Sequence, residues 1–435
     1  MKPLHVHKKN TLLIKGCRLL DPANGMDKQA DIVVEKGTIT RIAPNIEAEN
    51  IERIDLSGNI ITPGWFDMHV HFREPGREDE ETVKSGCAAA AAGGFTGACP
   101  MPNTQPVADS RSIIEYMIEE AKDLPVDVYP IAAATKGSQG KELTEIAELI
   151  EAGAVALSDD GVAIATADIA RRVMEYASMF DVPIIEHCEE PTMTNGGAMN
   201  EGAMSTRLGI PGMPGVAEDI IVARDILLTE FTGARLHIAH ISTARSVDLV
   251  REAKKRGIQV TCEVMPHHFC LTDEAIASYD ANFKMNPPLR TKDDVAAMIE
   301  GLKDGTIDVI ATDHAPHSPE EKDVEFAAAP FGIIGLETAL GLMMSKLVEP
   351  GHLPLAEVIK KVTYAPRHIL HLPQASLKEG TFANLTIFHP GKEWVVGHKN
   401  FYSKSRNTPF GGWKLKGEAT GVFNKGMLWL ASYTP

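Results

Sequence analysis

Short apolar runs alternate with amphipathic stretches through the middle of the chain. Stretches in which apolar residues recur at helical spacing lie at 110–122, 141–152, 169–179, 217–231 and 292–302. The apolar runs have the length and composition of buried strands, and eight occur, at 65–72, 95–100, 127–133, 154–158, 183–187, 235–240, 259–264 and 308–312. Strands that alternate with helices in this way predict an α/β fold, a (β/α)8 TIM-type barrel with its active site at the carboxyl ends of the strands.

Both ends of the chain have a different pattern, with short strand-like segments separated by turns. Segments 12–14, 31–34, 39–42 and 60–61 show it near the start, and 384–388, 393–396, 421–423 and 428–430 repeat it near the end. We therefore expect residues 1–62 and 374–435 to form one small β-sandwich-like domain built from both termini, beside a barrel of residues 63–373.

Composition and charge narrow the classes of partner. The 435 residues include 43 basic and 59 acidic side chains, a net charge of −16, which argues against nucleic acid and anionic membranes. Six scattered cysteines without a CxxC pair are typical of a reduced cytoplasmic protein. The chain begins without the pattern of a signal peptide, and its alanine-rich run at 88–92 is too short to cross a bilayer. A soluble, cytoplasmic protein is expected.

The connection at 188–217 is long for a loop between a strand and a helix, and it is rich in Gly, Met and Pro. Loops of this length are uncommon unless they are functional. The sequence leaves three interpretations open: a lid, a partner-contact loop, or a plain surface excursion.

The first candidate for chemistry is the run that ends in His69 and His71. Residues two apart on a strand point to the same side, so this strand presents two imidazoles to one point. Imidazole is a common ligand of zinc and similar metals. Arg73 continues the alternation just beyond the strand, and its planar guanidinium suits a carboxylate.

Further ligand-type residues stand at the ends of later runs. If all of them point inward, the barrel holds four imidazoles and two carboxylates, more than one tetrahedral zinc requires. Such a set suits two metal ions and the hydrolysis of an amide. The six candidates are His69, His71, Asp160, His187, His240 and Asp313.

Together these segments resemble the type I dihydroorotases, a branch of the amidohydrolase superfamily. The matching motifs cover almost the full length and lie at residues 67–75, 101–104, 158–161, 286–290, 311–317 and 331–338. The resemblance implies a cyclic amidohydrolase of pyrimidine biosynthesis, which reversibly cyclises N-carbamoyl-L-aspartate to L-dihydroorotate.

The resemblance also implies roles for single residues. His69, His71 and Asp313 would hold a first zinc ion, His187 and His240 a second, and Asp160 would bridge them, up to two per chain. Asp313 would in addition carry the proton between water and the ring nitrogen, as the catalytic residue. The implied substrate contacts are a carboxylate held by Arg73, Asn103 and His317, the ring amide reached by Asn286, and backbone groups of Phe331 and Gly332.

Several alternatives remain beside this interpretation. Many relatives bridge their metals with a carboxylated lysine; Lys136 is the nearest candidate here. Allantoinases and hydantoinases share the barrel, and a catalytically dead barrel could instead serve as a scaffold for aspartate transcarbamoylase. The intact ligand set favours an enzyme, and leaves homodimer formation and aspartate transcarbamoylase binding open. Asp159 is expected to be a helix cap or surface acid, and His237 to pack outside the site.

Overall fold

Eight parallel strands form a barrel in the middle of the chain, as the alternating pattern predicts. The computed structural model describes residues 4–397 and 399–431. The eight predicted runs correspond to strands Trp65–Val70, Phe95–Pro100, Asp127–Val128 with Ala132–Ala133, Leu157–Ser158, Ile184–Glu186, Leu236–Ile238, Val260–Val264 and Val309–Ile310. Each strand lies parallel to its neighbours.

The circle of strands is continuous although its third member is interrupted. Pro130 lies in the interruption and has no N–H, but its carbonyl accepts a hydrogen bond from Val155 N at 3.1 Å, which joins the third and fourth runs. The barrel closes where His71 N donates to His314 O at 2.8 Å. The ends of the first and eighth runs therefore meet, and both carry candidate site residues.

Helices surround the strands, and four of them begin at a threonine cap. Threonine side chains accept backbone hydrogen bonds at the starts of four of these helices, which satisfies N–H groups that have no partner within the helix. The longer helices are Val83–Gly93, Arg111–Glu120, Ile146–Glu151, Ala167–Ser178, Val216–Thr232, Ala244–Lys255, Lys292–Asp304 and Leu355–Ile369. The helix predicted from residue 141 starts only at Ile146, because Leu143 forms a β-bridge with Thr135.

Below the candidate site, the barrel interior is filled by apolar side chains from the strands. The polar side chains of the interior therefore lie at the carboxyl ends of the strands. This buried cluster includes Phe66, Met68, Cys99, Met101, Ile131, Ala156, Ile185, Ala239, Met265, Val309 and Ala311.

Among residues 4–397 and 399–431, strands from both ends of the chain form one curled sheet of nine strands. The two ends meet where Leu385–Val395 pairs antiparallel with Ile60–Pro63. The other members are His7–Lys8, Thr11–Asp21, Met26–Glu35, Thr38–Ala43, Arg53–Asp55, Lys414–Asn424 and Met427–Leu430. The predicted sandwich-like domain is thus built from a single hydrogen-bonded sheet. The exact domain boundaries at residues 62 and 374 stay a prediction.

The long connection at 188–217 is folded. It contains short elements Pro191–Thr194, Met199–Asn200, Ala203–Leu208 and Gly212–Met213. Buried Arg290 anchors it by donating to Asn200 Oδ1 at 3.0 Å and to Met213 O at 3.1 Å. A role as lid or as partner contact stays a prediction.

Within the part of the chain that the structure describes, no helix has both the length and the apolar character needed to cross a membrane.

Candidate active site

A cavity of about 330 Å³ opens at the carboxyl ends of the barrel strands. This volume is typical of a small-molecule site. All predicted site residues except His69 line it, and His69 lies fully buried beside it. The lining consists of His71, Arg73, Asn103, Asp160, Gly161, His187, His240, Asn286, Asp313, Ala315, His317, Pro330, Phe331 and Gly332.

Asp160 lies at the centre of the four candidate imidazole ligands. Its Oδ1 is 3.5 Å from His69 Nε2, 3.7 Å from His187 Nδ1 and 3.4 Å from His240 Nε2. Its Oδ2 is 3.6 Å from His71 Nε2. Two groups that could each hold a metal ion therefore share this one carboxylate.

Asp313 completes one side of this arrangement. Its Oδ1 lies 2.9 Å from His71 Nε2 and 3.6 Å from His69 Nε2. The strand pattern thus brings together all six residues that it singled out, although they are spread over more than 240 positions of the sequence.

The donor set fits metal ions. Two ligand atoms on one tetrahedral zinc lie about 3.4 Å apart, because each is about 2.0–2.1 Å from the ion. The separations around Asp160 are 3.4–3.7 Å. Moreover, within residues 4–397 and 399–431, His69 Nε2 and Asp160 Oδ1 are buried polar atoms without a hydrogen-bond partner. A buried polar atom left without a partner is costly, and a cation between them would satisfy both.

Carboxylates behind the imidazoles fix their orientation. His69 directs Nδ1 to Glu263 Oε1 at 2.6 Å, and His187 directs Nε2 to Glu189 Oε2 at 3.2 Å. Metal-binding histidines commonly donate their outer N–H to a carboxylate in this way. Sequence reasoning missed both acids. A lone glutamate inside the apolar run 259–264 was the available signal for Glu263.

The charges of this cluster keep its central carboxylates ionised. Burial opposes ionisation of Asp160, but the charge of His69 and contacts with His187 bring the pKa of its carboxyl well below the usual value. Burial likewise opposes ionisation of Glu263, yet His69 and His237 lower the pKa of that side chain to about 2. Both acids are therefore anionic at neutral pH, which is the form that binds a metal or orients a ligand.

Three site residues have a left-handed backbone. The φ angles are +61° at Arg73, +30° at His240 and +48° at Asp313. Residues with a Cβ rarely adopt this conformation, and strained backbones of this kind cluster at functional sites. The strained positions coincide with the ends of strands that deliver side chains to the cavity.

The candidate carboxylate-binding residues lie side by side. Arg73 Nη2 is 3.3 Å from His317 Nε2, and both side chains reach the cavity. Behind them lies the buried Glu80, which sequence reasoning also missed because it belongs to an acidic run, residues 78–81, that looks like solvated surface.

The remaining predicted substrate residues line the cavity but already have partners. Asn103 Oδ1 contacts His71 Nδ1 at 2.8 Å, and Asn286 Nδ2 donates to Glu189 at 2.6 Å. Phe331 O lies 2.7 Å from His317 Nε2. Gly332 N donates to a backbone carbonyl at 3.0 Å. Their roles in binding substrate stay predictions.

Other candidates lie away from the cavity. Lys136 pairs with Glu142 at 2.5 Å on the surface, so the carboxylated-lysine alternative finds no support in this geometry. The expectation for Asp159 is wrong, since it is buried and accepts a hydrogen bond from Thr135 N at 3.0 Å. His237 lies behind the site, where its Nε2 is 3.4 Å from Glu263 Oε2.

Comparisons with known proteins agree with this arrangement. Residues 58–246 match the family model described as dihydro-orotase-like. A protein of Syntrophus aciditrophicus named dihydroorotase is 50% identical over 410 residues, covering 94% of this chain and 96% of that protein. Another dihydroorotase, from Pelotomaculum thermopropionicum, is 51% identical over 406 residues, covering 93% of this chain and 95% of its own.

Solved structures with the same fold include a hydantoinase and a dihydropyrimidinase of low sequence identity. The L-hydantoinase of Arthrobacter aurescens superposes with a TM-score of 0.83 at 24% identity, covering 95% of this chain and 94% of that one. A dihydropyrimidinase of Brevibacillus agri gives 0.82 at 21% identity, with 96% and 94% covered. At these identities the likeness establishes the barrel architecture alone.

Proposed function

The chain belongs to the dihydroorotase family, and from that premise we propose that it reversibly cyclises N-carbamoyl-L-aspartate to L-dihydroorotate in pyrimidine biosynthesis. The observation that carries the proposal is one cavity in which Arg73 lies beside two metal-capable groups. A carboxylate and an amide carbonyl of one small ring would then be bound at the same time.

The metals of this proposal are zinc ions, up to two per chain. His69, His71 and Asp313 would hold the first, and His187 and His240 the second, with Asp160 shared. When bound, zinc lowers the pKa of water towards neutrality and polarises a carbonyl. The distances around Asp160, 3.4–3.7 Å, support this assignment.

Asp313 is the proposed catalytic residue. Burial opposes its ionisation, but contact with His71 and the charge of His69 lower the pKa of its carboxyl. The carboxyl is therefore ionised at neutral pH, and the ionised form is the one that can accept a proton. During ring opening it takes a proton from the attacking water and gives it to the ring nitrogen as the bond between that nitrogen and the carbonyl carbon breaks. During cyclisation it removes the proton from the ureido nitrogen as that nitrogen bonds to the carbon of the protonated carboxyl group. It then gives the proton to the carboxyl oxygen that leaves as water.

Arg73 selects a substrate that carries a carboxylate over uncharged rings. Dihydroorotate carries a ring carboxylate that hydantoin and dihydrouracil lack, and a guanidinium matches it with two parallel hydrogen bonds. Asn103 and His317 lie beside Arg73 along the cavity and would complete the carboxylate subsite, while Asn286 would reach the ring amide.

Replacing Arg73 tests this function directly. Hydrogen bonds to charged groups contribute roughly 1.5–3 kcal/mol each, so Arg73→Met should lower kcat/KM for dihydroorotate about 10²- to 10⁴-fold. Steady-state assays should show little change in any residual activity on dihydrouracil, with unchanged metal content. Equal losses on both substrates would mean that Arg73 supports the site without selecting the acid. A wild-type preference for the uncharged ring would refute the dihydroorotase assignment.

We also propose a homodimer, with its contact on helix Val216–Thr232. Ile220, Leu227 and Phe231 lie on this helix at spacings of seven and four residues and are 43, 61 and 74% exposed. A two-fold axis brings the same face of both copies together, so such an apolar stripe can serve as its own partner. Binding of aspartate transcarbamoylase stays a prediction that co-purification would test.

A further inference from the structure

Glu80 is a buried carboxylate that lies directly behind the proposed carboxylate subsite. Its side chain is 2% exposed and does not line the cavity. Oε1 is 2.9 Å from His317 Nδ1, and Oε2 is 3.2 Å from Arg73 Nε. Glu80 thus contacts both Arg73 and His317, the two basic side chains that reach the cavity from this wall.

The contacts of His317 restrict the orientation of its ring. Nδ1 faces Glu80 at 2.9 Å, and Nε2 faces Phe331 O at 2.7 Å. Both neighbours can accept a hydrogen bond from the ring. The other charged groups that face the ring are Glu321, 3.5 Å from Nδ1, and Arg73, 3.3 Å from Nε2. The ring is thus held between the Glu80 carboxylate and the backbone of Phe331.

The contacts of Arg73 restrict its orientation. Its Nε lies within reach of Glu80 Oε2 at 3.2 Å and of Pro316 O at 3.1 Å. With the inner nitrogen held in this way, the planar guanidinium has a fixed direction and its terminal nitrogens remain near the cavity. Arg73 loses less conformational freedom on binding when it is held beforehand.

A metal ion is a poorer interpretation of this cluster. Glu80, His317 and Glu321 have ligand atoms close enough to share one. However, Arg77 Nη2 lies 3.3 Å from Glu80 and 2.8 Å from Glu321, and Arg73 contacts Glu80 as well. Guanidinium groups already neutralise these carboxylates, which leaves little attraction for a further cation.

We propose that Glu80 is a positioning residue for substrate: its contacts hold the His317 ring and the Arg73 guanidinium in the orientation in which they line the cavity, so that both meet the substrate carboxylate. The inference rests on the proposed function, because it requires that the substrate carry this carboxylate. It adds a specificity residue that touches no substrate atom.

Glu80→Gln tests the inference, because glutamine keeps the size of the side chain and removes its charge. One weakened charge-assisted contact should raise KM for dihydroorotate about 10- to 100-fold, with a smaller change in kcat. Metal content and residual turnover of dihydrouracil should stay at the wild-type level. The matched control is Asp79→Asn, since Asp79 belongs to the same acidic run but lies exposed and pairs with Arg77 at 3.0 Å.

The outcomes separate the two claims. Wild-type protein that fails to turn over dihydroorotate would refute the proposed function, whatever the variants do. With active wild type, a Glu80→Gln enzyme with unchanged KM, or with equal losses on both substrates, would overturn the positioning role. Glu80→Asp keeps the charge and should restore part of the lost affinity. If the glutamine variant does not fold, the shorter aspartate must by itself raise KM selectively for dihydroorotate, and a wild-type KM would overturn the inference.

Discussion

Asp313 combines a contact with the imidazole cluster and a position on the cavity wall. Its Oδ1 is 2.9 Å from His71 Nε2, and the residue has a left-handed backbone with φ +48°. This strained conformation aims the carboxylate at the cavity although the strand has already ended at Ile310. One side chain can thereby act both as ligand and as proton carrier.

Replacement by asparagine separates the two tasks. Asp313→Asn keeps the size and one oxygen but cannot accept a proton, so kcat should fall about 10²- to 10⁴-fold. The comparison is made at equal metal occupancy, measured by elemental analysis of the same samples. Near-normal turnover at full metal occupancy would mean that another group carries the proton.

The residues that sequence reasoning located have a shared property. His69, His187 and Asp313 each stand just after or within a short apolar run, so barrel geometry alone brings them together. Glu80 and Glu189 lie in loops, where an acid usually faces water. Glu80 is buried against His317, and half-buried Glu189 contacts Asn286, both partners being distant in sequence. Such contacts leave no periodic pattern, which is why these acids could not be predicted.

At the scale of elements, strand Val260–Val264 carries the orienting acid of the first metal group. Glu263 is the fourth of the five residues of this strand and contacts His69 Nδ1 at 2.6 Å and His237 Nε2 at 3.4 Å. Its neighbours on the strand, Cys262 and Val264, are buried and apolar. The strand therefore fixes the position of the carboxylate rigidly.

Loss of this charge should weaken metal binding. Glu263→Gln removes the partner that orients His69, and such changes typically cost about 10- to 100-fold in metal affinity. Competition with a chelator of known affinity would measure the effect, with Glu252→Gln as a control because Glu252 is exposed and pairs with Lys255. Unchanged affinity would remove Glu263 from that role.

The strands of the barrel were predictable to within a few residues, and the details of their ends were not. The run at 127–133 reads as one strand, but it splits around Pro130 because proline cannot donate to the sheet. The helix expected from residue 141 begins at Ile146, since the preceding residues form a bridge with Thr135 instead. The first departure arises from a missing backbone donor, and the second from a β-bridge that competes with the helix.

At the scale of the whole molecule, both termini meet in one sheet that packs beside the barrel. The sequence pattern predicted that the ends would combine, because two strand-rich ends flank a helix-rich middle. It could not predict that Ile60–Pro63 joins Leu385–Val395, since pairing across more than 300 residues leaves no local signal.

The exposed stripe on helix Val216–Thr232 makes the proposed dimer testable. Leu227→Glu should convert the assembly to monomers in light-scattering measurements after gel filtration, because two-fold contact would place like charges together. Tyr279→Glu is a suitable control, since Tyr279 is 50% exposed and outside this helix. A monomeric wild type, or a variant that stays dimeric, would exclude this contact.

The central claim is that the six-residue cluster binds metal and thereby acts on the ring that carries a carboxylate. The most direct test is to titrate metal-free protein with zinc while measuring turnover of L-dihydroorotate. We expect negligible activity without metal and a rise that saturates at no more than two equivalents per chain. Full activity in verified metal-free protein, or no turnover of dihydroorotate at saturation, would contradict the account.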